Sequence, residues 1–343
     1  MTGGEFSLID NFFASPAVTR ADVSLGCGDD CALLDIPPGR QLAVTMDSLV
    51  AGRHFLPGTD PWRLGWKVLA VNLSDLAAMG AEPAWATLAV TLPGIDESWL
   101  GAFMEGFSTL ARQHAVQLVG GDTTRGPMAF TLQAHGLVEP GRALLRSGAR
   151  PGDALYVTGT LGGAGAALRQ LLAGDEEVSD SLRRRLEQPE PRVGTGRSLA
   201  GIASACIDLS DGLAGDLQHV LDASGCGAMV ELDRLPLMQE TRAFMQRYDD
   251  WQLPITAGDD YELLFTLRPE TTEAVGPRLR LAGLRSKSTT AVGRLSIGAE
   301  VDALIGPLPS MGLPNGSTTR PSSSGPIGTW ISEITKKAEA STP

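Results

Sequence analysis

The chain has 343 residues, of which 43% are hydrophobic and 20% are charged, a composition typical of a soluble globular protein long enough for two domains. Its net charge of −12 argues against a nucleic-acid partner, because no basic stripe is available to neutralise phosphates. The sequence has no apolar run of about 18 residues and no signal-peptide pattern at its start, so we expect a cytoplasmic protein without a membrane span.

Hydrophobic periodicity and turn residues predict alternating helices and strands in an N-terminal domain over residues 1–150. In chain order these are a helix over residues 6–14, a strand over 41–47, a helix over 61–79, a strand over 85–92, a helix over 96–113 and strands over 116–124 and 129–137.

A second α/β domain is predicted over residues 151–306, beginning at the turn Pro151-Gly-Asp. Its predicted elements are a strand over 154–158, helices over 164–173 and 175–191, an apolar strand from Ala203 that ends in Asp208 and Asp211, a helix over 213–223 and a strand directly after Asp260. Residues 307–343 begin as a Pro/Ser/Gly-rich linker, and residues 329–340 either form a short final helix or are disordered.

The predicted helix over residues 61–79 has clear end signals, with Asp60 as N-cap, Pro61 at the first position and Gly80 as the left-handed cap. Its apolar stripe consists of Trp62, Trp66, Leu69, Leu73 and Leu76. Asp75 lies in the last turn, where the helix dipole is already negative, and no cation lies within a turn of it. It is either a solvated polar residue or, as we favour, a ligand of a divalent metal ion.

Acidic residues recur at predicted strand or helix ends in six separate elements, namely Asp29/Asp30, Asp47, Asp75, Asp122, Asp208/Asp211 and Asp259/Asp260. Strand ends of an α/β chain gather at one edge, where ligands usually bind. Several carboxylates brought together without cations would repel one another, so the pattern predicts a site for several Mg²⁺ ions and a nucleoside triphosphate. Calcium storage is disfavoured because the DxDxDG loop spacing is missing.

Other residue types support a polyphosphate ligand without specifying it. Only four of the 28 basic residues are lysine, and the P-loop and protein-kinase HRD and DFG patterns are absent, so carboxylate-held metal and arginine must neutralise the phosphates. Arg142, Arg146 and Arg150 contact phosphate or lie solvated on the surface. The turn Gly159–Gly163 before a helix either cradles phosphate or serves tight packing. The four cysteines (Cys27, Cys31, Cys206, Cys226) are expected to be reduced thiols.

The order of motifs over residues 5–300 resembles that of the thiamine-monophosphate kinase family, within the aminoimidazole-ribonucleotide-synthetase-like superfamily. The matching segments are Gly26-Cys-Gly-Asp-Asp30, Thr45-Met-Asp-Ser-Leu-Val-Ala-Gly-Arg-His-Phe55, Asn72 to Pro83, Gly120-Gly-Asp-Thr123, Arg146-Ser-Gly-Ala149, Asp208-Leu-Ser-Asp-Gly212 and Gly258-Asp-Asp-Tyr-Glu-Leu263. The resemblance implies a two-domain α/β fold with mixed sheets, a homodimer in which the N-terminal sheets pair, and ATP bound in a cleft.

The resemblance also implies roles for individual residues. The implied Mg²⁺ ligands are Asp30, Thr45, Met46 (through its backbone), Asp47, Asp75, Asp122, Asp208 and Asp211, and among them Asp47, Asp75, Asp122 and Asp211 are the implied catalytic residues. The implied ATP contacts are Gly121, Asp122, Arg146 and Ser210, and the implied thiamine phosphate contacts are His54 and Asp259. The match fails after about residue 305, where Trp330 is the nearest candidate for the aromatic substrate contact of the family.

The implied reaction is transfer of the ATP γ-phosphoryl group to thiamine monophosphate, which gives thiamine diphosphate by a direct in-line step. Two other ATP-using enzymes of the superfamily are alternatives, a purine-precursor cyclo-ligase and a selenophosphate synthetase. The latter normally needs a reactive cysteine in a glycine-rich N-terminal segment, and Cys27 lies in such a segment but beside Asp29-Asp30. A non-catalytic protein that binds Mg²⁺ and nucleotide is the third alternative.

Overall fold

A computed structural model of the chain describes residues 17–175, 177–271 and 289–296. Its strands are β1 (Val23–Leu25), β2 (Leu33–Leu34), β3 (Gln41–Val50), β4 (Glu82–Leu92), β5 (Gln117–Arg125), β6 (Ala129–Val138), β7 (Ala154–Thr158), β8 (Ala205–Asp208), β9 (Gly227–Val230), β10 (Leu263–Leu267) and β11 (Thr289–Ser296). Its helices are α1 (Pro61–Ala78), α2 (Glu97–His114), α3 (Gly163–Leu172), α4 (Asp180–Glu187), α5 (Val193–Leu199), α6 (Leu213–Ser224), α7 (Gln239–Tyr248) and α8 (Leu253–Thr256). The predicted helix over residues 6–14, the predicted segment 307–343 and Trp330 lie outside the described residues.

Two sheets organise the described part of the chain. The first has the order β3-β6-β4-β5, in which only β4 and β5 run parallel. The second has the order β8-β10-β7-β11-β9 and is antiparallel throughout. These pairings confirm the predicted mixed α/β fold, whereas the domain boundaries at residues 150 and 306 stay predictions.

Helix α1 lies between the two sheets. It contacts β3 and β6 of the first sheet and β8 and β10 of the second. Fourteen of its 18 residues are buried, so the helix is covered on all sides and not only along the predicted apolar stripe. One core cluster joins Leu69 of α1, Leu132 of β6 and Phe265 of β10, which means that α1 fixes how the two sheets face one another.

The ends of α1 follow the predicted signals. The Asp60 side chain accepts a hydrogen bond from the Arg63 amide, Pro61 occupies the first turn, and Gly80 follows the helix with φ of 67°. Helix α2 crosses α1 closely, because a methyl group built on Gly65 would lie 1.9 Å from the Phe103 carbonyl oxygen. Glycine is therefore required sterically at this crossing.

Two element predictions were wrong in extent. Strand β3 continues to Val50, so Asp47 lies within the strand and not at its end, whereas β5 agrees with the predicted strand to within one residue. The predicted charged helix over residues 175–191 is only α4, because Ser179 caps its start and Pro189 follows its end. Helices α5, α7 and α8 and strands β1, β9 and β11 were not predicted. Within the described ranges, no helix is long and apolar enough to span a membrane.

Candidate active site

Three carboxylates from separate elements meet where α1 lies between the two sheets. Asp47 extends from β3, Asp75 from the last turn of α1, and Asp208 from the end of β8. Hydroxyl groups fix two of them, since Thr45 Oγ1 donates to Asp75 Oδ2 at 2.5 Å and Ser74 Oγ donates to Asp208 Oδ2 at 2.7 Å. The structure thus brings together four of the predicted metal ligands, Thr45, Asp47, Asp75 and Asp208.

The electrostatics of this group show an excess of negative charge. Burial, and then the nearby charge of Asp75, raise the pKa of Asp47 to about 6 and that of Asp208 to about 7. Burial also raises the pKa of Asp75, although the Thr45 hydroxyl and the positive charge of Arg146 oppose the shift. A cation placed among these carboxylates would relieve their repulsion, and Arg146 supplies only part of that charge.

The three carboxylates fit Mg²⁺ that arrives together with a polyphosphate. Among the residues that the structure describes, no group of three His, Cys, Asp or Glu side chains is arranged to hold a metal ion by itself. Mg²⁺ is usually bound by one or two carboxylates, several waters and the phosphates of the substrate. Three carboxylates that do not enclose a metal ion by themselves are therefore compatible with Mg²⁺.

Asp122 lies on the opposite face of the first sheet from Asp47. The register aligns Asp122 with Ala89, Thr131 and Ser48, and the hydroxyls of Ser48 and Thr131 lie 2.7 Å apart on that face. Asp47 instead shares its face with the buried Leu132. Because β3 and β5 are the two edge strands, about 14 Å of sheet separates them as well. One chain therefore does not bring Asp122 to Asp47.

The remaining predicted metal ligands lie outside the central group. Asp122 and its neighbour Gly121 are exposed, and Asp122 lines a surface groove of about 550 Å³ beside Ile95. Asp30 lies on an exposed turn, where its amide donates to Asp29 Oδ1 at 2.9 Å. Met46 is 62% exposed and its side chain lies on the outer face of β3, away from Asp47. Met46 could therefore reach the central group only through its backbone.

Ser210 and Asp211 are held by a residue that sequence reasoning missed. Asp216, in the first turn of α6, accepts a hydrogen bond from the Asp211 amide at 3.0 Å, and burial raises its pKa to about 6. Gly258 approaches the same turn, since a methyl group on it would lie 2.3 Å from the Ser210 carbonyl oxygen. A carboxylate in the first turn of a predicted helix was the available signal.

The predicted acceptor-binding residues His54 and Asp259 meet through Lys67, a second missed residue. Lys67 Nζ lies 3.0 Å from Asp259 Oδ2 and donates to the His54 carbonyl oxygen at 3.3 Å. The Tyr261 hydroxyl donates to Asp259 Oδ1 at 3.1 Å. Burial lowers the pKa of His54, whose Nδ1 accepts from the Val50 amide. A lysine within the otherwise apolar residues 64–71 of this helix was the signal for this site.

The glycine turn before α3 already holds an anion from the chain itself. The Gly162 amide donates to both carboxylate oxygens of Asp260, at 3.0 and 2.8 Å. Glu262, two residues later, is buried between Arg185 and Arg192 at 2.7 and 2.6 Å. Asp260 and Glu262 are therefore structural, which supports the packing interpretation of this turn over the phosphate cradle.

The three predicted phosphate-contacting arginines differ in their surroundings. Arg146 is exposed and lies close enough to Asp75 to lower its pKa. Arg142 instead donates to the Ala200 carbonyl oxygen at 2.8 Å and pairs with Glu139 at 3.3 Å. The structure thus places Arg146, and not Arg142, beside the carboxylate group.

Comparison with known proteins identifies the family. Residues 28–138 match the AIR synthase related protein, N-terminal domain, and residues 150–295 match the corresponding C-terminal domain. A thiamine-monophosphate kinase from Salmonella typhimurium is 48% identical over 311 residues, which cover 89% of this chain and 93% of that protein. The chain belongs to the thiamine-monophosphate kinase family.

Solved thiamine-monophosphate kinase structures share this fold. That from Stenotrophomonas maltophilia is 44% identical and matches with a TM-score of 0.80, covering 88% of this chain and 96% of that chain. A structure described as AaThiL complexed with AMPPCP and TMP is 30% identical, with a TM-score of 0.70, and covers 88% of this chain and 93% of that chain. The predicted resemblance is confirmed, and it favours thiamine-monophosphate kinases over the ligase and selenophosphate alternatives.

Proposed function

We propose that this chain transfers the γ-phosphoryl group of ATP to thiamine monophosphate, which yields ADP and thiamine diphosphate. The observation that carries the proposal is the convergence of Asp47, Asp75 and Asp208 at α1, in a chain of this family. The related structure that holds AMPPCP and TMP supports the same pair of substrates.

The acceptor needs little chemical activation. Its phosphate has a second pKa near ~6 and is mostly a dianion at pH 7, so no strong general base is required. The difficulty is to align two polyanions, which the protein solves by positioning and by electrostatic stabilisation. Asp47, Asp75 and Asp208 would hold Mg²⁺, which would supply positive charge to neutralise the phosphates, and Arg146 adds a further positive charge beside Asp75.

The transfer is direct, without a phosphorylated protein intermediate. The dianionic acceptor is itself the nucleophile, and the central carboxylates Asp47 and Asp75 are committed to one another and to Thr45. Incubation with γ-³²P-ATP in the absence of acceptor should leave the protein unlabelled after denaturation. Label retained on an aspartate would contradict the direct step.

A homodimer is part of the proposal. The outer face of β3 exposes Leu42, Val44 and Met46, a strip of large apolar side chains on a long edge strand. Asp122 lies on this same face of the sheet. Pairing of two such sheets would cover the strip and would place Asp122 at the interface between protomers.

An acceptor panel tests the proposed function. ADP release from Mg-ATP is measured by a coupled assay with thiamine monophosphate, thiamine or an aminoimidazole precursor as the second substrate. We expect turnover with thiamine monophosphate alone, and thiamine diphosphate as the product. Turnover with the precursor, or nucleotide binding without turnover, would refute the proposal. A cytoplasmic location stays a prediction.

A further inference from the structure

Lys67 carries a buried positive charge in the middle of α1. Its side chain is only 4% exposed, and an ammonium group is stable in such a place only with close acceptors. The hydrogen-bond acceptors of the Lys67 ammonium group are the Asp259 carboxylate at 3.0 Å and the His54 carbonyl oxygen at 3.3 Å. Both belong to the segments that are predicted to contact the acceptor substrate, although Asp259 lies 205 residues after His54 in the sequence.

Asp259 is held in a strained turn. Asp259 and Tyr261 have φ of 66° and 48°, in the left-handed region that non-glycine residues rarely adopt. Their amides donate to the carbonyl oxygens of Ser210 and Leu209 at 2.9 and 2.8 Å, which ties the turn to the loop before α6. The conformation therefore depends on the surrounding contacts, and Lys67 supplies an ion pair from α1.

The two partners of this ion pair differ in exposure. The Asp259 side chain is 31% exposed, whereas that of Lys67 is enclosed, so a ligand reaches the carboxylate but not the ammonium group. A carboxylate oxygen accepts more than one hydrogen bond, so Asp259 keeps acceptor capacity beside Lys67 and Tyr261. Lys67 thus acts on a ligand only through Asp259 and the His54 segment.

We propose that Lys67 is a positioning residue for the acceptor substrate. It fixes the Asp259 carboxylate and the His54 main chain, so that both face the organic part of a phosphorylated, amino-bearing cationic heterocycle. ATP binding does not depend on this contact, because Asp75 and Arg146 lie two turns further along α1 and on another segment. This role rests on the proposed function, since it assigns the acceptor end of the same site.

Helix α1 offers a matched control in Arg63, one turn before Lys67. Arg63 also forms ion pairs from α1 to the second half of the chain, with Asp180 at 2.7 Å and Glu187 at 3.2 Å. Those partners lie on α4, away from His54 and Asp259. Replacement of Arg63 by methionine removes a comparable ion pair without touching the proposed acceptor contacts.

The experiment compares Lys67→Met, Lys67→Gln and Lys67→Arg with Arg63→Met and the wild type. KM for thiamine monophosphate and KM for ATP are measured separately, with near-ultraviolet circular dichroism to confirm folding. Loss of a charged hydrogen bond at the site should raise KM for thiamine monophosphate by about tenfold to a hundredfold in Lys67→Met and Lys67→Gln, with KM for ATP nearly unchanged. Lys67→Arg keeps the charge but not the geometry of the ammonium group, so its KM for thiamine monophosphate should lie between those of the wild type and Lys67→Met. Arg63→Met should leave both KM values unchanged.

Two outcomes would overturn the assignment in different ways. An unchanged KM for thiamine monophosphate, or an equal rise in both KM values, would show that Lys67 serves stability alone. If neither neutral variant folds, calorimetric titration of thiamine monophosphate into Lys67→Arg with AMPPCP present decides, and wild-type affinity there would contradict a geometry-sensitive contact. Absence of wild-type turnover with thiamine monophosphate would remove the proposed function first, and the role of Lys67 with it.

Discussion

At the scale of single residues, the pKa shifts describe a site that is unfavourable without a cation. Burial raises the pKa of Asp208 from 3.8 to about 7 in the folded chain. Between those pH values the folded state binds more protons than the unfolded state. The free energy of unfolding contributed by Asp208 therefore falls as pH rises from about 4 to about 7.

The Asp208→Asn variant tests the direction of this pH dependence of stability. Asparagine keeps an acceptor for the Ser74 hydroxyl but cannot ionise, so it removes the contribution. In metal-free buffer, we expect the variant to lose less stability than the wild type between pH 5 and pH 8. Urea denaturation at both pH values measures it. The same pH dependence in both proteins would show that Asp208 is not desolvated in the folded chain.

Asp75 is central to the proposed chemistry, since it contacts Thr45 and Asp47, and the positive charge of Arg146 opposes the rise in its pKa on burial. Replacement of Asp75 by asparagine should lower kcat by on the order of 10²-fold or more, because a charge that positions the phosphates is lost. Asp222→Asn changes an exposed carboxylate on α6 that pairs only locally with Gln218, and should leave kcat unchanged. Near-normal turnover in Asp75→Asn would contradict its role as a metal ligand.

At the scale of elements, the crossing of α1 and α2 depends on glycine. A methyl group at position 65 would overlap the Phe103 carbonyl, so Gly65→Ala must push the helices apart and should cost about 1–3 kcal/mol of unfolding free energy. Gly215→Ala is the matched control in α6, where the added methyl would find 3.9 Å of room. The control should be neutral or stabilising. Equal stability of the two variants in urea would show that α1 and α2 do not pack this closely.

The sequence predicted the helices better than the ends of the strands. The ends of α1 and α2 could be predicted because the residues at those ends, Asp60, Asp96 and Gly80, act locally. The end of β3 depends on pairing with the distant strand β6, which no local pattern records. The acidic residues were thus placed in the correct elements, but Asp47 was wrongly placed at a strand end.

The reason for convergence also differed from the predicted one. Strand ends of the α/β chain were expected to gather at one edge, yet the two sheets are mostly antiparallel and only β4 and β5 run parallel. Asp47, Asp75 and Asp208 meet because α1 is packed between two mostly antiparallel sheets. Lys67 and Asp216 were missed because their partners, Asp259 and the Asp211 amide, are defined only by that tertiary packing.

At the scale of the whole molecule, the proposed homodimer depends on the outer face of the first sheet. Val44 is 51% exposed in the middle of the apolar strip on β3, so a charge there would oppose sheet pairing. We expect Val44→Asp to shift the protein from dimer to monomer in sedimentation velocity. Leu172→Asp, at a similarly exposed residue on α3, should leave the assembly unchanged. A dimeric Val44→Asp protein would contradict pairing through this face.

The proposed function requires that divalent cations and a polyphosphate bind among the separate carboxylates and stabilise them together. A crystal structure with AMPPCP, thiamine monophosphate and Mn²⁺, with anomalous data collected for manganese, tests it most directly. We expect anomalous peaks within ligand distance of Asp47, Asp75 or Asp208 and of the phosphate oxygens. Phosphates bound elsewhere on the chain, with no manganese beside these three carboxylates, would contradict it.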